Sequence, residues 1–188
     1  ALAEIAKGGS VRRHEVVTPL AEHLPPDLAA GLDGFVTARR WDMYREPFED
    51  PAHFEEYLTQ TSGSLVWSAM AALGSSEKNR DLAIACGKGM GIARFLAAIP
   101  ELRARGRHPL PDGTSVADLA EDGLQCLSGM GRLRRRLGPV RGAPLLEGWM
   151  AVPTLKAICR NSGLIEAGGP SFSPFRRRWR LLRMASGF

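Results

Sequence analysis

The hydrophobic positions along this chain recur at intervals of three and four residues, the period of a helix that buries one face. Leu28, Leu32, Phe35 and Val36 follow the start signal Pro25-Pro26-Asp27 and predict a helix over 26–46, with Arg39 and Arg40 on its last turns. Pro47 interrupts it. Asp50 can cap and Pro51 suits the first helical position. Phe54, Tyr57, Leu58, Thr61, Leu65 and Ala69 then lie along one side, so a long helix is predicted over 51–73, closed by Gly74. Ser75-Ser76 caps a third helix over 78–98, which Pro100 ends. A turn at 110–113 precedes a helix over 116–127, opened by Thr114 or Ser115. A basic helix over 130–137 stops at Gly138-Pro139. Another spans 145–159, kinked by Pro153, and Asn161-Ser162-Gly163 terminates it. Ser173-Pro174 opens the last helix, over 175–184. No stretch alternates with period two long enough to suggest a sheet, and no internal repeat is visible. The fold class is all-α, a helical bundle forming a single domain over 1–188.

Composition places the chain among ordinary globular proteins: 188 residues, 44% hydrophobic and 24% charged. That excludes disorder and collagen-like repeats. No apolar run approaches the roughly 20 residues of a membrane span. The opening ALAEIAKGG lacks the basic and apolar regions of a signal peptide. Cys86, Cys126 and Cys159 are widely spaced, which predicts free thiols in a reducing compartment.

Charge changes the picture more. From Cys126 to Phe188 there are eleven Arg and one Lys against two acids, Glu147 and Glu166. The first 125 residues carry 13 basic and 18 acidic residues. So uneven a distribution predicts a basic face, either solvated or set against a membrane surface, a nucleic acid or an acidic protein. No nucleic-acid-binding module accompanies it, which sets nucleic acid aside.

Familiar catalytic patterns are missing. His14, His23, His53 and His108 show no metal-ligand spacing. Thr61-Ser62-Gly63-Ser64 falls inside a predicted helix, not on the strand-to-helix turn of a nucleophile elbow. Gly87-Lys88-Gly89-Met90-Gly91 has no preceding strand and no closing Lys-Ser/Thr, so it is no phosphate-binding loop. Gly87 and Gly91 share one helix face, the spacing for close approach of another helix. In GIARFLAAIPELRARGRHPLP, Arg94, Arg103, Arg105 and Arg107 gather where a helix is predicted to end. They are the candidate anion-binding residues. Tyr57, Thr61 and Ser64 sit at helical spacing and are the candidates to line an interior cavity.

These stretches resemble the squalene/phytoene synthase family. HEVVTPLAEH, ARRWDMYREPFEDPAHFEEYLTQTSGSLVWSAMAALG and GKGMGIARFLAAIPELRARGRHPLP occur in the family's order, and the likeness runs from about Val11 to Met184. The resemblance implies an isoprenoid-synthase bundle, with the family's N-terminal helices falling before Ala1. Family enzymes join two prenyl diphosphates head to head, using Mg²⁺ held by two aspartate-rich motifs. The first would precede Ala1. At the second, Ala97, Ala98 and Leu102 stand where carboxylates are expected, with Glu101 the lone acid, so no metal site and no catalytic residue is predicted.

The shortened, acid-poor form is similar to one branch of the family, that of the mitochondrial complex I assembly factor and its bacterial relatives. That likeness implies a non-catalytic assembly or binding protein without a cofactor. Its partners would be respiratory-complex subunits or assembly proteins, with an isoprenoid or lipid ligand and an anionic membrane surface as further candidates. The place implied is cytoplasmic, peripheral on the inner face of the inner membrane, or the matrix side in a eukaryote. The alternative is a Mg²⁺-dependent prenyl transferase of squalene or phytoene synthase type.

The last helix offers a further surface. Arg176, Arg177, Arg178, Arg180 and Arg183 occur with no acid among them, and Phe175, Trp179 and Leu182 share a face. The pattern suits docking on an anionic membrane or a partner. It also suits packing of the apolar face on the bundle with the arginines in water, and packing is the expectation.

Overall fold

The computed structural model describes residues 1–44 and 46–186. Among them there is no strand. The chain forms helices α1 (Leu2–Ala6), α2 (Val17–His23), α3 (Pro26–Gly31), α4 (Asp33–Arg39), α5 (Pro51–Leu58), α6 (Ser64–Ala72), α7 (Arg80–Ala104), α8 (Val116–Cys126), α9 (Met130–Arg141), α10 (Ala151–Arg160) and α11 (Pro174–Ala185). An all-α helical bundle is thus the observed architecture.

Helix α7 is the axle. Ala83, Cys86, Met90, Ile92, Ala93, Leu96 and Ile99 are buried around most of its circumference, as expected of a helix packed on several sides. Glycines permit the closest approaches. A Cβ on Gly87 would lie 2.6 Å from Ser62 O and 2.8 Å from Gly63 Cα, and one on Gly89 would lie 2.8 Å from Gly123 O of α8. The chain from Glu77 to Ala104 reaches the length and hydropathy of a membrane span, contrary to the reading that no such run exists. In this fold its apolar length is spent on the core, because neighbours cover it from both sides.

Several boundaries depart from the sequence pattern. Pro100 does not end α7; it sits inside it. The stop is Gly106, in the left-handed region at φ +73°. Arg107 N–H donates to Leu102 O at 3.0 Å and Gly106 N–H to Arg103 O at 2.8 Å, the double closure of a Schellman turn. The helix predicted over 26–46 is split into α3, α4 and a 3₁₀ turn at Arg40–Met43, with Arg45 outside the described residues. Residues Ala143–Met150 are 3₁₀, so Pro153 falls in the first turn of α10, where no N–H is needed and no kink results. Gly138, at φ +75°, leaves the helical conformation where Gly138-Pro139 is predicted to stop the helix, and the residues to Arg141 form a separate short helical stretch beyond that kink. Asp50 and Ser115 cap as expected, accepting from His53 N and Asp118 N at 2.7 and 3.2 Å. Ser75-Ser76 does not: Ser76 heads a short 3₁₀ turn at Glu77–Asn79 and accepts no cap hydrogen bond.

The predicted helix over 51–73 contains the feature that matters most for the site. Between α5 and α6, Thr59–Gly63 forms a π turn, and Ser64 N–H reaches back five residues to Thr59 O. The Thr61 hydroxyl donates to Tyr57 O at 2.6 Å, a further bond to the α5 backbone just before the turn. One wide turn rotates everything after it relative to everything before it.

Candidate functional site

A cavity of about 400 Å³ opens where α4, the Arg40–Met43 turn, α5, the π turn and α7 meet. Its wall is apolar in part, from Trp41, Leu58, Phe95, Ala98 and Leu102. Its polar groups are Tyr57, Thr61 and Ser62, three guanidinium groups (Arg39, Arg94 and Arg107) and one carboxylate, Asp42. Cations around an apolar floor suit an amphiphile with an acidic head.

Each side chain is placed by its element. Arg39, at the end of α4, puts Nη1 2.9 Å from Asp42 Oδ2 and 3.1 Å from the Tyr57 hydroxyl. Tyr57 donates its own hydroxyl to Asp42 Oδ1 at 2.7 Å. Burial, and then this contact with Asp42, push the Tyr57 phenol above its ordinary range. Arg94 donates from Nη2 to Ser62 Oγ at 3.0 Å and pairs with Glu147 through Nη1. Burial, and then the nearby Arg39 charge, hold the Arg94 guanidinium below its ordinary range. A Cβ on Gly91 would lie 2.6 Å from Ser62 Oγ, so the glycine leaves room for that hydroxyl.

Arg107 acts differently. The Schellman turn throws it back over Trp41, its guanidinium carbon 4.6 Å from the ring centroid. It donates to three backbone oxygens, Tyr44 O at 2.7 Å, Asp42 O at 3.2 Å and Trp41 O at 3.4 Å. Arg107 therefore clamps the turn that carries Asp42, and Trp41 stacks on Phe48 beneath it at 3.7 Å between centroids.

The predicted residues are thus only partly brought together. Arg94 and Arg107 share the cavity. Arg103 pairs with Glu166 and Arg105 with Glu101 one turn back, both outside it. Tyr57 and Thr61 line the cavity, while Ser64 does not: its hydroxyl points to Thr59 O and Gln60 Oε1, each at 3.3 Å. The π turn is the reason. It moves Ser64 off the face that a 3.6 period assigns it and brings in Ser62. Arg39 was missed as a cavity residue; its signal is Asp42 three positions on, the spacing of an ion pair on one helical face.

Family enzymes would place magnesium ligands on this stretch of α7, and the residues do not fit the ion. Ala98 and Leu102 line the cavity, Ala97 is exposed, and Glu101 is exposed beside Arg105. Asp42 is already engaged by Arg39 and Tyr57. Among the described residues, no three His, Cys, Asp or Glu side chains converge into a group that could hold a metal.

The last helix departs from expectation as well. No residue of α11 is buried, and Phe175, Trp179 and Leu182 are 76%, 59% and 61% exposed. The apolar face is not packed on the bundle. The helix is held instead by polar groups: Arg180 Nε donates to Trp149 O at 2.6 Å and Arg134 Nη2 to Ala185 O at 3.2 Å.

Compared with known proteins, the chain matches the squalene/phytoene synthase family over residues 1–125. No curated protein matches it, and no solved structure does. The matched part holds the whole cavity. The basic residues from Cys126 onward lie beyond it.

Proposed function

The chain belongs to the squalene/phytoene synthase family, and from that premise we propose that it is a non-catalytic binding protein acting in assembly or stability of a membrane respiratory complex of the complex I type. The observation that carries the non-catalytic reading is the pair Ala98 and Leu102 on the cavity wall. Magnesium needs hard oxygen ligands, and departure of a diphosphate needs the charge neutralisation that the metal supplies. Alkyl side chains at these positions can do neither. Arg39 and Arg94, each paired with one carboxylate, Asp42 and Glu147, have further N–H donors to offer an acidic head, and the apolar wall remains to meet a chain. The cavity thus suits an isoprenoid or other lipid held as a ligand.

The assembly role draws its support from sequence likeness. YLTQTSGSLVWSAMAALG and GKGMGIARFLAAIPELRARGRHPLP are similar to the complex I assembly branch, and the acid-poor form of α7 belongs with that likeness. The partners on this reading are subunits or assembly proteins of the respiratory complex, met at the inner face of the membrane. The test is made in cells of the source organism lacking this protein. Native gels should show loss of the assembled complex, restored by the wild-type protein and not by Arg39→Met/Arg94→Met. An unchanged complex, together with loss of a prenyl product, would overturn the proposal in favour of a prenyl transferase.

A further inference from the structure

Helix α11 is mounted the wrong way round for a helix that merely covers a core. Arg180, through Trp149 O, and Arg177, whose guanidinium carbon lies 5.8 Å from the Trp149 ring centroid, face the protein. Met184 packs against the core from the same side. At 100° per residue, Phe175, Trp179 and Leu182 fall together on the far side, and all three are exposed. The Phe175 and Trp179 rings, one helical turn apart, lie nearly parallel and form a short aromatic ridge, with centroids 6.5 Å apart and planes at 9°. Arg178 borders this ridge on one side and Arg176 and Arg183 on the other. Among the described residues none of the five arginines of α11 is paired with a carboxylate. Ser173 Oγ caps the helix by accepting from Arg176 N at 3.3 Å.

We infer that α11 docks on the surface of an anionic lipid leaflet, with Phe175, Trp179 and Leu182 entering the headgroup boundary and Arg176, Arg178 and Arg183 meeting acidic headgroups. An aromatic ridge between rows of arginine is the pattern of a helix lying in the membrane interface. Charge argues against a second copy of the chain as the occupant, since apposing two such faces would set arginine against arginine. The helix and the cavity share no lining residue, so either reading can fail alone.

The test is sedimentation of the protein with vesicles at low salt. Wild type should sediment with vesicles of phosphatidylcholine and phosphatidylglycerol and stay in solution with phosphatidylcholine alone. Arg176→Gln/Arg178→Gln/Arg183→Gln should weaken partition on the order of a hundredfold, with the thermal midpoint unchanged, because Arg177 and Arg180 still hold the helix. Phe175→Ser/Trp179→Ser should also release the protein. Failure of wild type to sediment would overturn the inference. So would binding that ignores the ridge substitutions, or a dimer in solution that Trp179→Ser dissociates.

Discussion

The Tyr57 hydroxyl and the Asp42 carboxylate are joined across the cavity by a hydrogen bond of 2.7 Å. Arg39 takes the other oxygen of the same carboxylate. Asp42, the only acid lining the cavity among the described residues, is thereby committed to holding the wall together. Tyr57→Phe should cost about 1.5 kcal/mol of stability, the value of a hydrogen bond to a charged group, read as a lower midpoint in urea.

Alkaline titration gives a second reading of that pair. The folded phenol is harder to ionise than the unfolded one. Its contribution to stability is therefore intact below the ordinary tyrosine value of 10.0 and is lost as pH rises above it. The chain has two tyrosines. The late-ionising one in the phenolate absorbance should disappear in Tyr57→Phe and persist in Tyr44→Phe.

The crossing of α7 over the π turn should tolerate no side chain at Gly87. A Cβ there meets only backbone, Ser62 O at 2.6 Å and Gly63 Cα at 2.8 Å, whereas at Gly91 one of its two close contacts is Ser62 Oγ, which can rotate away, and the other is Ser62 Cβ at 2.8 Å, which moves only with the backbone. Gly87→Ala should cost about 3 kcal/mol, as overpacking does, and Gly91→Ala less. Gly131, on α9, where a Cβ would meet only the end of the Arg135 side chain at an ordinary 3.8 Å, should gain up to about 1 kcal/mol on substitution by Ala from helix propensity. Thermal or urea unfolding of the three variants ranks them.

Much of the bundle is legible in the sequence because caps and breakers are local. Asp50-Pro51, Ser115 and Ser173-Pro174 each start a helix where the pattern puts it. The misses come from choices made by packing. Pro100 looks like a stop, yet buried Ile99 beside it and the glycine turn at Gly106 carry α7 one turn further. The π turn is invisible to a 3.6 period, so Ser64 was placed on the cavity face and Ser62 was not. Phe48 lies outside any helix but is 2% exposed, drawn inward by Trp41. The apolar stripe of α11 reads as core by composition, and only its neighbours reveal that it faces outward.

Arg107 should prove a structural residue before a ligand-binding one. Its fork holds Trp41 O, Asp42 O and Tyr44 O while stacking on Trp41. Arg107→Lys keeps the charge but not the planar fork. It should lose about 1–3 kcal/mol, close to the loss in Arg107→Met, by thermal unfolding.

Thiol chemistry should report the core. Burial pushes the Cys86 thiol up to about 12, and thiolate is the reactive form. With an aromatic disulfide reagent at pH 8, Cys86 should react last of the three cysteines and only as fast as the protein unfolds. Cys86→Ser should remove that slow phase.

The most direct measurement of the central claim is product analysis after incubating the protein, as encoded in its source organism, with Mg²⁺, a nicotinamide reductant and radiolabelled farnesyl or geranylgeranyl diphosphate. With Ala98 and Leu102 in place of carboxylates, the diphosphate should be recovered unreacted. Formation of squalene, phytoene or their cyclopropyl precursors at a rate that depends on Mg²⁺ would contradict the account.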